Sequence, residues 1–181
     1  MAARLNRSHL VFILGGASSG KSDVALQIAS KGIGKRAPRA FVATGEGLDE
    51  EMAMKIARHR QSRSPAWVTV EVPFELAGWF ADEGPKYRAI VVDCLTMWLS
   101  NHCGRGRKEQ EILHETRTLL NAIRRVKARV VLVSNELGMG LVPVDAVSRR
   151  FRELAGAVNR FVAQEADAAY FVVSGIPVRL R

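Results

Sequence analysis

Between residues 10 and 30 the chain passes from an unbroken apolar segment, Leu10-Val11-Phe12-Ile13-Leu14, through Gly15-Gly16-Ala17-Ser18-Ser19-Gly20-Lys21-Ser22, into a stretch with Val24, Ala25, Ile28 and Ala29 at helical spacing. The middle segment fills every fixed position of the phosphate-loop pattern G-x-x-x-x-G-K-[ST], and strand, glycine loop, helix is the order that pattern requires. A loop of Gly, Ala and Ser lets backbone N–H groups close on a polyphosphate while the following helix points its positive end at the same anion. Lys21 then reaches the β- and γ-phosphates, and the Ser22 hydroxyl is placed to ligate Mg²⁺. A glycine turn that binds nothing is the alternative, and its context argues against it.

The segments that follow alternate in the same way. Residues 40–44 read as a second strand, with Thr44-Gly45-Glu46 at its carboxyl end, where open α/β sheets bind ligands. Residues 49–61 read as a helix with Met52, Ile56 and His59 on one face. By spacing alone His59 is a packed histidine. Its neighbours Arg58, Arg60 and Arg63 weaken that reading, because nearby cations keep an imidazole neutral and nucleophilic and can hold phosphate oxygens in bidentate fashion. A basic helix end that complements the macrodipole has the same composition.

Trp67 to Glu71 alternates as a strand ending in an acid that is either a ligand contact or an edge charge. Residues 74–81 read as a short helix and 83–85 as a turn. Ala89-Ile90-Val91-Val92-Asp93 is a buried strand closing on a carboxylate, the layout of a Walker B acid that holds Mg²⁺. Helices over 95–101, 109–127 and 144–164, a strand over 129–134 and two final strands around Ser174-Gly175 complete the reading. The fold expected is a single-domain α/β phosphate-loop fold over residues 1–181: a mostly parallel, RecA-like sheet with helices on both faces and a C-terminal strand pair.

Composition limits the partners. Two cysteines, Cys94 and Cys103, match neither a C-x-x-C redox pair nor a zinc set, which points to the cytoplasm. The opening residues imitate a secretory signal, but its removal would destroy the first strand and half the phosphate loop. No apolar run approaches the ~18 residues of a membrane helix. The formal charge of +9 comes from scattered Lys and Arg, so an anionic small molecule is expected and no nucleic acid.

The pieces together resemble a known family. Residues 13–22, Ala43-Thr44, Asp49-Glu50-Glu51-Met52 leading to Arg58-His59-Arg60, Trp67 to Glu71, Val92 to Thr96, Ser134 to Pro143, Arg149 to Gly156, Asn159-Arg160 and Val172 to Val178 resemble, in order and spacing, the bifunctional adenosylcobinamide kinase / adenosylcobinamide-phosphate guanylyltransferase family of cobalamin biosynthesis. The resemblance implies that ATP or GTP phosphorylates the aminopropanol hydroxyl of adenosylcobinamide. GTP then donates GMP to that phosphate, giving adenosylcobinamide-GDP and pyrophosphate through a guanylylated histidine, which falls on His59. It also implies that the loop from Gly15 to Ser22, Thr44, Gly45, Glu46, Arg60, Gln61, Ser62, Arg63, Glu71 and Asp93 line the nucleotide site, and that the protein is a homotrimer. Ser18 stands where many members carry Arg, with the fixed loop positions intact. The Asn135–Pro143 loop is shared with the family without an assigned task; the corrinoid and a subunit interface are the two candidates.

Three other classes compete. A nucleic-acid-stimulated RecA-like ATPase would interleave aromatic and basic residues along a binding loop, whereas most Phe and Trp residues here fall in expected core strands and helices. A kinase without the guanylyl step leaves His59 merely packed. A GTPase switch lacks its guanine-reading N-K-x-D or T-K-x-D motif.

Overall fold

The computed structural model describes residues 9–46 and 64–181. The helix expected over 49–61, with His59, Arg60, Gln61, Ser62 and Arg63, lies outside the described residues.

Among the described residues, seven strands and five α-helices follow in chain order: β1 (His9–Gly15), α1 (Lys21–Ser30), β2 (Arg39–Ala43), β3 (Val68–Glu71), α2 (Leu76–Asp82), β4 (Ala89–Asp93), α3 (Leu95–Gly104), α4 (Glu109–Arg125), β5 (Arg129–Asn135), α5 (Ala146–Glu165), β6 (Ala168–Val173) and β7 (Ile176–Arg179). The strands form one sheet in the order β3-β2-β4-β5-β1-β6-β7. Six run parallel, and β7 returns antiparallel to β6 as the expected terminal pair. Unbroken apolar strands are the signature of a sheet buried on both faces. Alternate residues divide accordingly. Val11, Ile13, Val91, Val131 and Val133 pack with Val24, Ala25 and Ala29 of α1. Leu10, Phe12, Ile90, Val92, Val130 and Leu132 pack on the other face against α2, α3, α4 and α5.

Boundaries shift by a few residues for identifiable reasons. Trp67 precedes β3, buried beside Phe41 and Ala89 with the Arg39 guanidinium 6.0 Å from its ring. Helix α3 continues to Gly104 because His102 is buried and draws the last turn into the core. Helix α5 begins at Ala146, where the Asp145 carboxylate accepts a hydrogen bond from Ser148 N (2.7 Å) and caps the free N–H groups of its first turn.

Candidate nucleotide site at the carboxyl edge of the sheet

Because the first six strands are parallel, Gly15, Ala43, Glu71, Asp93 and Asn135 all end at one edge, and the loops that carry chemistry gather there. Parallel sheets concentrate ligand sites at this edge. The phosphate loop spans Gly15 to Ser22, between the end of β1 and the first turn of α1. Gly20 is the N-cap of α1 in the left-handed region (φ 87°), and its neighbour across space is Gly175 of the β6–β7 turn: a Cβ on Gly20 would lie 3.1 Å from Gly175 Cα. Glycine is needed there twice, for conformation and for space. Gly175 N donates to Ser19 O (2.8 Å), so the terminal hairpin props the loop from behind. Gly16 and Ala17 form the exposed crest, Ser18 has φ 55°, and the buried Ser19 hydroxyl has no partner among the described residues.

Lys21 is buried at the start of α1 and its Nζ donates back to Gly16 O. Burial lowers its pKa, while the Asp93 carboxylate and Cys94 act against that shift. Ser22 Oγ donates to Asp93 Oδ2 across 2.5 Å, joining the loop helix to the end of β4. The two residues read as metal ligands from opposite halves of the sequence are therefore adjacent, as hydroxyl and carboxylate oxygens, the donor type Mg²⁺ prefers.

Thr44 sits immediately past β2 and is fully buried. Its Oγ1 donates to Cys94 O (2.7 Å) and accepts from Cys94 N (2.8 Å), and its own N–H donates to Asp93 O (3.2 Å). The hydroxyl is thus committed to the residue after Asp93. Gly45 and Glu46, half-buried, continue from it, and Glu71 ends the edge strand β3 with its neighbour Val72 N bonded to Ala43 O (2.8 Å). Cys94 itself has its thiol pushed up to about 11, first by burial and then by the Asp93 charge, which keeps it protonated and unreactive.

Asn101 joins the site with no sequence motif to mark it. It is buried on α3, and its Nδ2 donates to Thr44 O (2.8 Å) and Pro73 O (3.0 Å), tying the ends of β2 and β3 together. Nothing local marks it, because an amide in a helix is as often exposed as buried. Gly175 was likewise visible only as a turn residue. The Asn135–Pro143 loop is held by α5: Arg152 donates to the carbonyls of Gly138, Gly140 and Leu141, and Arg149 to those of Pro143 and Val144. Between that loop and α5, on the face of the sheet opposite α1, lies a cleft of about 530 Å³ walled by Leu14, Leu137, Val142, Asn159 and Arg160.

A protein-family model described as cobinamide kinase / cobinamide phosphate guanyltransferase matches residues 11–180. The bifunctional adenosylcobalamin biosynthesis protein CobP of Pseudomonas aeruginosa is 37% identical over 171 residues, covering 93% of this chain and 95% of its own. Its counterpart CobU of Escherichia coli K12 is 36% identical over 185 residues, 95% and 99% of the two chains. Among solved structures, the flagellar accessory protein FlaH of Methanocaldococcus jannaschii superposes with TM-score 0.55 at 13% identity over 96% of this chain and 78% of that one. A KaiC-like protein of Pyrococcus horikoshii OT3 gives TM-score 0.54 at 14% identity, covering 90% and 70%. At such identities the structural likeness carries the fold alone.

Proposed function

The chain belongs to the cobinamide kinase / cobinamide phosphate guanyltransferase family, and from that premise we propose how its own residues carry the family's two reactions. The protein is an adenosylcobinamide kinase and adenosylcobinamide-phosphate guanylyltransferase of cobalamin biosynthesis, with ATP and GTP as substrates. The observation that supports the residue assignment is the convergence of Lys21 and the Ser22–Asp93 pair at the mouth of the phosphate loop.

In the kinase step the aminopropanol hydroxyl oxygen attacks the γ-phosphorus, the bond to the β-phosphate oxygen breaks and the hydroxyl proton is released to water. Backbone N–H groups of residues 16–22 and the Lys21 ammonium hold the charge on the departing diphosphate. Ser22 and Asp93 are the residues that would hold Mg²⁺, whose charge neutralises the phosphate oxygens when it is bound. In the second reaction a ring nitrogen of His59 attacks the α-phosphorus of GTP, pyrophosphate leaves, and the imidazole gives up its N–H proton. A phosphate oxygen of adenosylcobinamide phosphate then attacks the same phosphorus, the P–N bond breaks and adenosylcobinamide-GDP is released. Splitting one transfer into two lets a single loop position both leaving groups. Arg60 and Arg63 steady the phosphates, and Gly45, Glu46, Gln61, Ser62 and Glu71 border the nucleotide. Thr44 acts through Cys94 and Asp93 instead of touching it.

Incubation with α-labelled GTP and Mg²⁺ should leave an acid-labile, base-stable adduct on the wild-type chain and none on His59→Ala. Equal labelling of both chains, or of neither while GTP binds, removes His59 as the nucleophile. The protein works as a cytoplasmic homotrimer in this reading; no helix among the described residues is long and apolar enough to cross a membrane.

A further inference from the structure

We propose that the Asn135 carboxamide hydrogen-bonds the γ-phosphoryl group of the bound nucleoside triphosphate and steadies it during transfer. Strand β5 lies between β1, which delivers the phosphate loop, and β4, which delivers Asp93. Asn135 is its last residue and is in register with Gly15, the first residue of the loop. Side chains alternate along a strand, and Val131 and Val133 face α1 while Leu132 and Ser134 face the opposite side, where Ser134 Oγ lies 3.2 Å from Thr96 Oγ1. Asn135 therefore falls on the α1 face, the face on which Ser22 meets Asp93.

The surroundings hold this residue unusually firmly. Its N–H donates to Thr96 Oγ1 (2.8 Å) and its carbonyl accepts from Asn159 Nδ2 (3.1 Å), both partners being buried side chains on helices of the far face. The next residue, Glu136, donates its N–H to Gly15 O (3.1 Å). The backbone of residue 135 is thus locked to the phosphate loop and to two helices, while the residue stays half-buried and its carboxamide bonds no described residue. Asparagine is a poor strand former, and packing alone would favour a β-branched residue here. A fixed neutral donor beside the loop is what a developing phosphoryl charge requires. Facing β4 as well as β1, it suits the outermost phosphate, which projects furthest from the loop.

This inference rests on the nucleotide reading above, and the experiment separates the two. Binding of β,γ-imido-GTP and of GDP, each with Mg²⁺, needs no acceptor and no His59 chemistry. Asn135→Ala should weaken the analogue about tenfold and leave GDP unchanged, at an unaltered melting temperature. Its kcat for phosphoryl transfer from ATP should fall about 10²-fold, as loss of one preorganised donor does, with guanylyl transfer affected less because its reacting phosphorus is two phosphates away. Asn135→Asp, isosteric but charged, should give the same selective loss, more strongly, and carries the test if the alanine chain does not fold. Equal weakening of GDP and analogue, a lowered melting temperature like that of Asn159→Ala, or no change at all would each overturn the proposal. A wild-type chain that binds both nucleotides but phosphorylates no adenosylcobinamide would instead defeat the assigned function.

Discussion

His102 shows how one residue can set a pH limit on the whole chain. It is 1% exposed on α3, edge-on to Trp98 at 4.6 Å and to Phe74 at 5.6 Å, with Nδ1 3.2 Å from Glu115 Oε2. Burial lowers its pKa from 6.5, Glu115 opposes that shift and Arg107 adds to it. The unfolded chain therefore takes up the proton first. Stability is complete above the unfolded value of 6.5 and is lost as pH falls toward the lower folded value. Melting temperatures recorded from about pH 7.5 down to about pH 5 should drop below the unfolded histidine pKa, and His102→Gln should flatten that decline; an unchanged slope would clear His102 of the effect. Thr44 makes a related point. Its type and position at a strand end suggest a ligand contact, yet the folded chain commits its hydroxyl to both backbone groups of Cys94.

Among the elements, the phosphate loop depends most on contacts from distant sequence. A Cβ on Gly15 would lie 2.5 Å from Val172 O of β6 and 2.8 Å from Ser19 Oγ, whereas one on Gly16 would meet nothing within 4 Å. Overpacking against a strand backbone costs about 1–3 kcal/mol. Gly15→Ala should therefore lower the unfolding free energy by that amount, read as a lower urea midpoint at unchanged m-value, and weaken GTP binding, while Gly16→Ala should leave the midpoint in place. Matching midpoints for the two variants would show that the loop yields instead of the strand. The glycine-lysine pattern marks the loop plainly, but it is silent about which glycine is there for the phosphate and which for β6. The Asn135–Pro143 loop is the reverse case: its sequence marks only a polar, glycine-containing loop at a strand end, and the arginines of α5 fasten it.

For the whole molecule, two unlike apolar patches stand exposed among the described residues, apart from Val68 on the edge strand β3. Leu141 is 97% and Val144 98% exposed beside the stapled loop, and Ile176 is 66% exposed on the edge strand β7. Contiguous exposed apolar surface marks an interaction site, and the homotrimer proposed above takes these two patches as its head-to-tail contact faces, with a rotation that closes after three copies. Light scattering should give three times the chain mass, and Leu141→Asp with Val144→Asp should release monomers; a monomeric wild-type chain would refute the ring. The period-2 and period-3.6 patterns, the phosphate-loop spacing and the Asp closing β4 determined on their own the α/β class, the strand positions and the nucleotide chemistry, because each depends on residues close together in the chain. Strand order, the Ser22–Asp93 contact, the Asn101 tie between β2 and β3, and the pairing of Gly15 with Asn135 depended on the tertiary structure. These join residues 28 to 120 positions apart, and no local pattern records which buried strand will neighbour which.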